Sequence, residues 1–163
     1  MRLRTHLAAV ASVATAVALF SLTGCAPEPA PDPPHETSTF GDHASALDEY
    51  IAAQLVYELP EGQEYPAPTF TDMSGTYESG FGTSAAVLVW NCAWGREYLA
   101  TRGVDALAAT HALEQFAAIM DTPTFENSYD PVSAHPLFRN AVEDAQLGDP
   151  TGIRQLVDGS CPR

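Results

Sequence analysis

Residues 85–94 read AAVLVWNCAW, with Asn91 as the one polar side chain among them. A helix that is apolar on nearly every side cannot rest on a surface; it has to be enclosed by several other elements. Trp90, Trp94 and Tyr98 follow one another at four-residue spacing, which puts three large rings on one stripe of that helix. Such a stripe reads as core. Thr83 or Ser84 is expected to cap the start, and Gly103 stands where a left-handed residue would end the helix. The rest of the chain therefore has to supply the walls around this central element, and 163 residues suffice for one ordinary domain.

The walls read as helices. Over residues 45–59, Leu47, Ile51, Leu55 and Leu59 recur every fourth position, Ser45 and Asp48 resemble a capping box, and Pro60 stops the run. Over 104–120, Ala106, Ala109, Leu113, Phe116, Ala117 and Met120 share a face, with His111 and Gln115 opposite. His135-Pro136 opens a helix to Leu147 with Leu137, Phe138, Ala141, Val142 and Ala145 on one side and Gly148 at its end. Asp149-Pro150 starts a short last helix carrying Ile153, Leu156 and Val157. The segment TPTFENSYDPVSA between them reads as an irregular connection. No stretch alternates with a period of two and no repeat is visible, so the expected fold is all-α, a small domain of four to five helices.

Residues 60–82 form one long connection, punctuated by Pro66, Pro68, Gly62, Gly75, Gly80 and Gly82. Its aromatic residues Tyr65, Phe70, Tyr77 and Phe81 are the candidate partner surface, because aromatic side chains carry most of the energy at protein interfaces. The SGTYESG portion reads as turns or a short hairpin.

At the other end of the chain, Arg2 and Arg4 precede an uncharged run from Leu7 to Gly24. A positive start and an apolar core form the physical pattern of an export signal. Leu22-Thr23-Gly24-Cys25 resembles the lipobox of bacterial lipoproteins. That resemblance implies a diacylglycerol on the Cys25 sulfur, cleavage before it, and anchoring at the outer face of the cytoplasmic membrane. Two acyl chains hold a protein stably where one would be marginal. Prolines 27, 29, 31, 33 and 34 then make a stalk that in polyproline conformation reaches up to roughly 60 Å. His35 and His43 are read as solvated parts of it. The expected organisation is a signal at 1–24, a lipidated stalk at 25–44 and a helical domain at 45–163.

With Cys25 lipidated, Cys92 and Cys161 remain. In an exported chain such a pair is expected to form one disulfide, the alternative being two free thiols. Chain entropy assigns a loop of that length about 4 kcal/mol. YELPEGQEYP ahead of WNCAWGREYL also resembles uncharacterised exported proteins of actinobacteria, in which a Leu-Pro loop precedes a helix with Trp, Cys and Trp.

The chain has 21 acids, 7 arginines and no lysine, for a net charge of −14. Phosphates need a basic stripe to neutralise them, so nucleic acid is excluded as a partner. His111 and Glu114 are one helical turn apart, but in the wrong order and on the polar face for a di-iron motif, and both are read as solvated. No G-x-S-x-G elbow or calcium loop occurs, and the helix around Cys92 is too apolar to support a thiolate. No cofactor is implied. Three functions remain: a non-enzymatic binding or assembly module with an envelope protein as partner, an envelope enzyme acting on wall or lipid substrates with paired carboxylates such as Glu78 and Glu97, or a carrier of a small apolar ligand lined by Trp90, Trp94 and Phe116.

Overall fold

The computed structural model describes residues 40–162; the segment expected as an export signal (1–24), Cys25 and all but the last residues of the expected stalk (25–44) fall outside the described residues. In chain order the elements are β1 (Phe40–Gly41), α1 (His43–Gln54), β2 (Tyr77–Glu78), α2 (Phe81–Thr101), α3 (Ala106–Ala117), a 3-10 turn (Ala118–Asp121), α4 (Pro123–Ser128), α5 (Ala134–Gln146) and α6 (Thr151–Ser160). The two short strands pair antiparallel, Phe40 opposite Glu78 and Gly41 opposite Tyr77. The domain is otherwise helical.

Helix α2 is the axis. Helices α1, α3, α4 and α6 all pack on it, and α5 packs against α3 and α6. Trp90, Trp94 and Tyr98 are buried, together with Phe116, Phe138 and Ile153 from the surrounding helices. Asn91, the polar interruption, is 3% exposed and donates from Nδ2 to the Phe116 carbonyl at 2.9 Å, so its amide is satisfied at the end of α3. The all-helical enclosure of a helix without a polar face is thus realised.

Helix α1 departs from expectation in both its start and its buried face. Asp42, not Ser45, is the cap: its Oδ1 accepts from Ser45 N at 2.9 Å and from Ser45 Oγ at 2.8 Å, leaving Ser45 inside the first turn. The buried residues are Ala46, Tyr50 and Ala53, while Ile51 is 51% and Leu55 84% exposed. The cause is the crossing with α2. A Cβ added to Gly82 would fall 1.9 Å from the Ala46 carbonyl oxygen, so the two backbones are in direct contact there. That approach admits only a small residue at Ala46, where the backbones touch, and it leaves Ile51 and Leu55 of the leucine stripe facing outward, while Leu59, beyond the helix end at Gln54, packs against the core. His43, expected in the stalk, is the first residue of α1 and donates from Nε2 to the Phe70 carbonyl at 3.2 Å.

Other boundaries shift for local reasons. Gly103 is not left-handed: the N–H groups of Val104 and Asp105 both reach the Thr101 carbonyl, at 2.9 and 2.8 Å, and the chain turns directly into the Asp105 cap of α3. Gly148 does take φ 98° after α5, as its position implied. The connection after Asp121 contains a helix. Thr122 caps α4 by accepting from Phe125 N at 3.1 Å, Pro123 occupies the first helical position, and Phe125 is buried.

The long connection is fastened down by its aromatic residues and those of its neighbours. Tyr50 Oη donates to Pro66 O at 2.9 Å, Tyr65 Oη to Tyr57 O at 2.6 Å, and Trp94 Nε1 to Glu58 O at 3.0 Å. Each ring thereby satisfies its polar end on a backbone carbonyl. The SGTYESG portion pairs with Phe40–Gly41 instead of folding on itself.

Candidate functional site

The cysteine pair lies where the sequence expected it. Cys92 is buried at the middle of α2, Cys161 follows α6, and their sulfurs are at bonding distance, with Cα atoms 5.6 Å apart. The bond pins α6 onto α2 beside Gly95, where a Cβ would meet Val157 Cγ2 at 2.7 Å. Arg96 also fastens this end, donating from Nη2 to the Pro162 carbonyl.

The four aromatic residues of the long connection do not form one exposed surface. Phe70 is buried in a small cluster with Ala46, Tyr50, Ala53 and Ala86. Tyr65 is half-buried, and burial together with the nearby Tyr50 and Tyr57 raises its phenol far above the ordinary tyrosine range. Tyr77 is half-buried and donates from Oη to Asp72 O at 2.9 Å. Phe81, 41% exposed, packs on Phe70 and Tyr77 with ring centroids 5.3 and 5.1 Å away. These rings hold the loop to α1 and α2.

The other candidates separate as well. Glu78 lies on β2 and Glu97 on α2, whose rise of 1.5 Å per residue puts the latter about 24 Å along the axis from Phe81. Trp90, Trp94 and Phe116 are packed core, each no more than 7% exposed. His111 is exposed and sets its ring edge-on to Trp94 at 5.1 Å. His135 stacks on Phe125 at 4.2 Å and donates to the Phe125 carbonyl. Among the described residues no three His, Cys, Asp or Glu converge. The carboxyls held below the usual range are Asp72, Asp130 and Asp149, through the side chain and then the backbone N–H of Ser74, Ser133 and Thr151, and Asp42, through Ser45 N first. All four are turn or cap acceptors at the surface.

What the fold does build is a groove of about 770 Å³ along α3, closed on its far side by the C-terminal ends of α2 and α5. Ala106, Ala109, Leu113 and Ala117 form its floor, and Tyr98 donates from its hydroxyl to the Ala145 carbonyl at 3.4 Å beneath it. Arg102, Glu114 and Asp121 stand on its rim. The groove exists because α3 presents alanine where a larger side chain would fill the gap to α5. Ala109 and Leu113 are buried core, as their period implies, and Ala117 packs against that core, while Ala106 at the start of α3 is exposed.

This architecture defines a class: a disulfide-linked helical domain organised around one enclosed helix, with an open apolar groove at its side. No family model matches the chain, and no curated protein and no solved structure matches it.

Proposed function

We propose that the chain is an exported lipoprotein, diacylated on Cys25 and held at the outer face of the cytoplasmic membrane, whose helical domain is a non-enzymatic binding or assembly module. The observation that carries this reading is the cysteine at the seam between the uncharged run and the proline-rich stretch, at the end of Leu22-Thr23-Gly24-Cys25. Support comes from the Cys92–Cys161 pair at bonding distance, since disulfides persist in oxidising compartments outside the cytoplasm. The open groove supports the binding role.

The test is mass spectrometry of the N-terminal peptide from protein purified out of membranes. Diacylglycerol on Cys25 as the first residue is the expected result, and Cys25→Ser should release the protein from the membrane fraction. An unmodified thiol, or a leader still attached, overturns the assignment. A carrier of a small apolar ligand is the second reading, favoured by a groove volume that falls within the range of ligand sites.

A further inference from the structure

The groove along α3 combines three properties. Its floor is short: Ala106, Ala109 and Ala117 leave holes of a size that a partner's leucine or phenylalanine side chains fill. Its flanks are greasy, with Leu107 85% exposed and Leu147 87% exposed, each adjacent in sequence to residues that line it. Its rim carries two carboxylates, Glu114 and Asp121, against one arginine, Arg102. The side chains of Glu114 and Asp121 make no hydrogen bond or ion pair with the described residues. Arg102, the one cation on the rim, is turned to the Gly148 carbonyl at 3.5 Å and helps hold Asp149 ionised.

From these we infer that the groove docks an amphipathic, basic polypeptide segment of an envelope partner, its apolar side chains entering over Ala109, Leu113 and Ala117 and its lysine or arginine heads meeting Glu114 and Asp121. The inference deepens the binding-module reading and rests on it. From Ala106 to Asp121 the helical rise gives about 22 Å, the length of four turns of a partner helix. Charge selects the occupant. A second copy of a chain with net charge −14 would bring like charge to the rim, and an anionic head group would be repelled in the same way. A neutral ligand would leave both carboxylates unused.

The probe is a dye-labelled 15-residue amphipathic peptide with leucines along one helical face and lysines flanking them, titrated by anisotropy onto the mature chain carrying Cys25→Ser, so that neither lipid nor detergent competes. Saturable binding is expected, weakened about tenfold when glutamates replace the peptide's lysines, and several-fold by Glu114→Gln with Asp121→Asn. Ala117→Phe, which fills the groove, should weaken it about tenfold. Leu107→Ser, at a site too exposed to affect folding, should weaken it about threefold. Methyl NMR shifts should map to Leu107, Leu113 and Leu147. Equal binding of the glutamate peptide, full affinity in both groove variants, or shifts confined to the Ile51 and Leu55 face overturns the inference. So does tighter, charge-independent occupation by the neutral probe N-phenylnaphthylamine, which would favour the carrier. A partner cross-linked in intact cells through another face would keep the binding module and remove this site.

Discussion

The Glu49 carboxylate of α1 caps the start of α2: Oε1 accepts from Gly80 N at 2.8 Å and Oε2 from Gly82 N at 3.0 Å. Helix α2 has no side-chain cap of its own, since Gly80 precedes it in a left-handed conformation. Two N–H groups at its start, those of Gly80 and Gly82, are satisfied by a residue more than thirty positions earlier in the chain. Two helices are thereby joined at the point where their backbones touch.

Removing that carboxylate should loosen the joint. Glu49→Ala is expected to cost about 1–2 kcal/mol in denaturant unfolding, and Glu49→Gln less, because the amide keeps one acceptor. Gly82→Ala should cost about 3 kcal/mol or more despite alanine's better helix propensity, since its methyl group would meet the Ala46 carbonyl.

The two faces of α1 should respond in opposite ways. Ile51→Glu and Leu55→Glu are expected to change stability by no more than about 0.5 kcal/mol, because both side chains are in water. Tyr50→Ala should cost about 3–5 kcal/mol, losing a buried ring and its bond to the Pro66 carbonyl. A thermal melt of each variant separates the cases; the reverse order would mean that the leucine stripe is the core.

The cysteine bridge closes a sequence separation of 69 residues. Cys92→Ala with Cys161→Ala is expected to cost about 2–4 kcal/mol. Peptide maps with and without reductant should show the two half-cystines joined, and two alkylatable thiols in the native mature protein would refute the bridge.

Acid should weaken the domain through its turns. Asp42, Asp72, Asp130 and Asp149 all have carboxyls below their ordinary value, so each contributes stability that is present above the unfolded carboxylate pKa and is lost as pH falls through the folded one. The melting temperature should hold from pH 7 down to about pH 5 and decline below pH 4. Replacing all four with asparagine should flatten that decline.

Much of this was legible from local chemistry. The enclosed run around Trp90 called for walls, and the walls came as helices close to where periodicity put them. Thr122-Pro123 carried a readable start signal for α4, which the surrounding Asp, Asn, Ser and Pro obscured. The aromatic residues of the long connection were recognisable as important, but Phe70 and Phe81 look alike in sequence, and only packing distinguishes the buried ring from the partly exposed one.

Sequence alone determined the composition of the central helix, the number of its helical neighbours to within one and the stop at Gly148, because each follows from side-chain chemistry within a few residues; the pairing of Cys92 with Cys161 was an expectation once Cys25 was set aside, and the fold brings the two together. Tertiary structure decided which face of α1 is buried, what caps α2, and where the alanines of α3 leave open space. A hydrophobic period marks a face able to be buried, but the face that is buried depends on how closely another backbone approaches. That closeness is set at Gly82 and Ala46, two residues that share no local pattern.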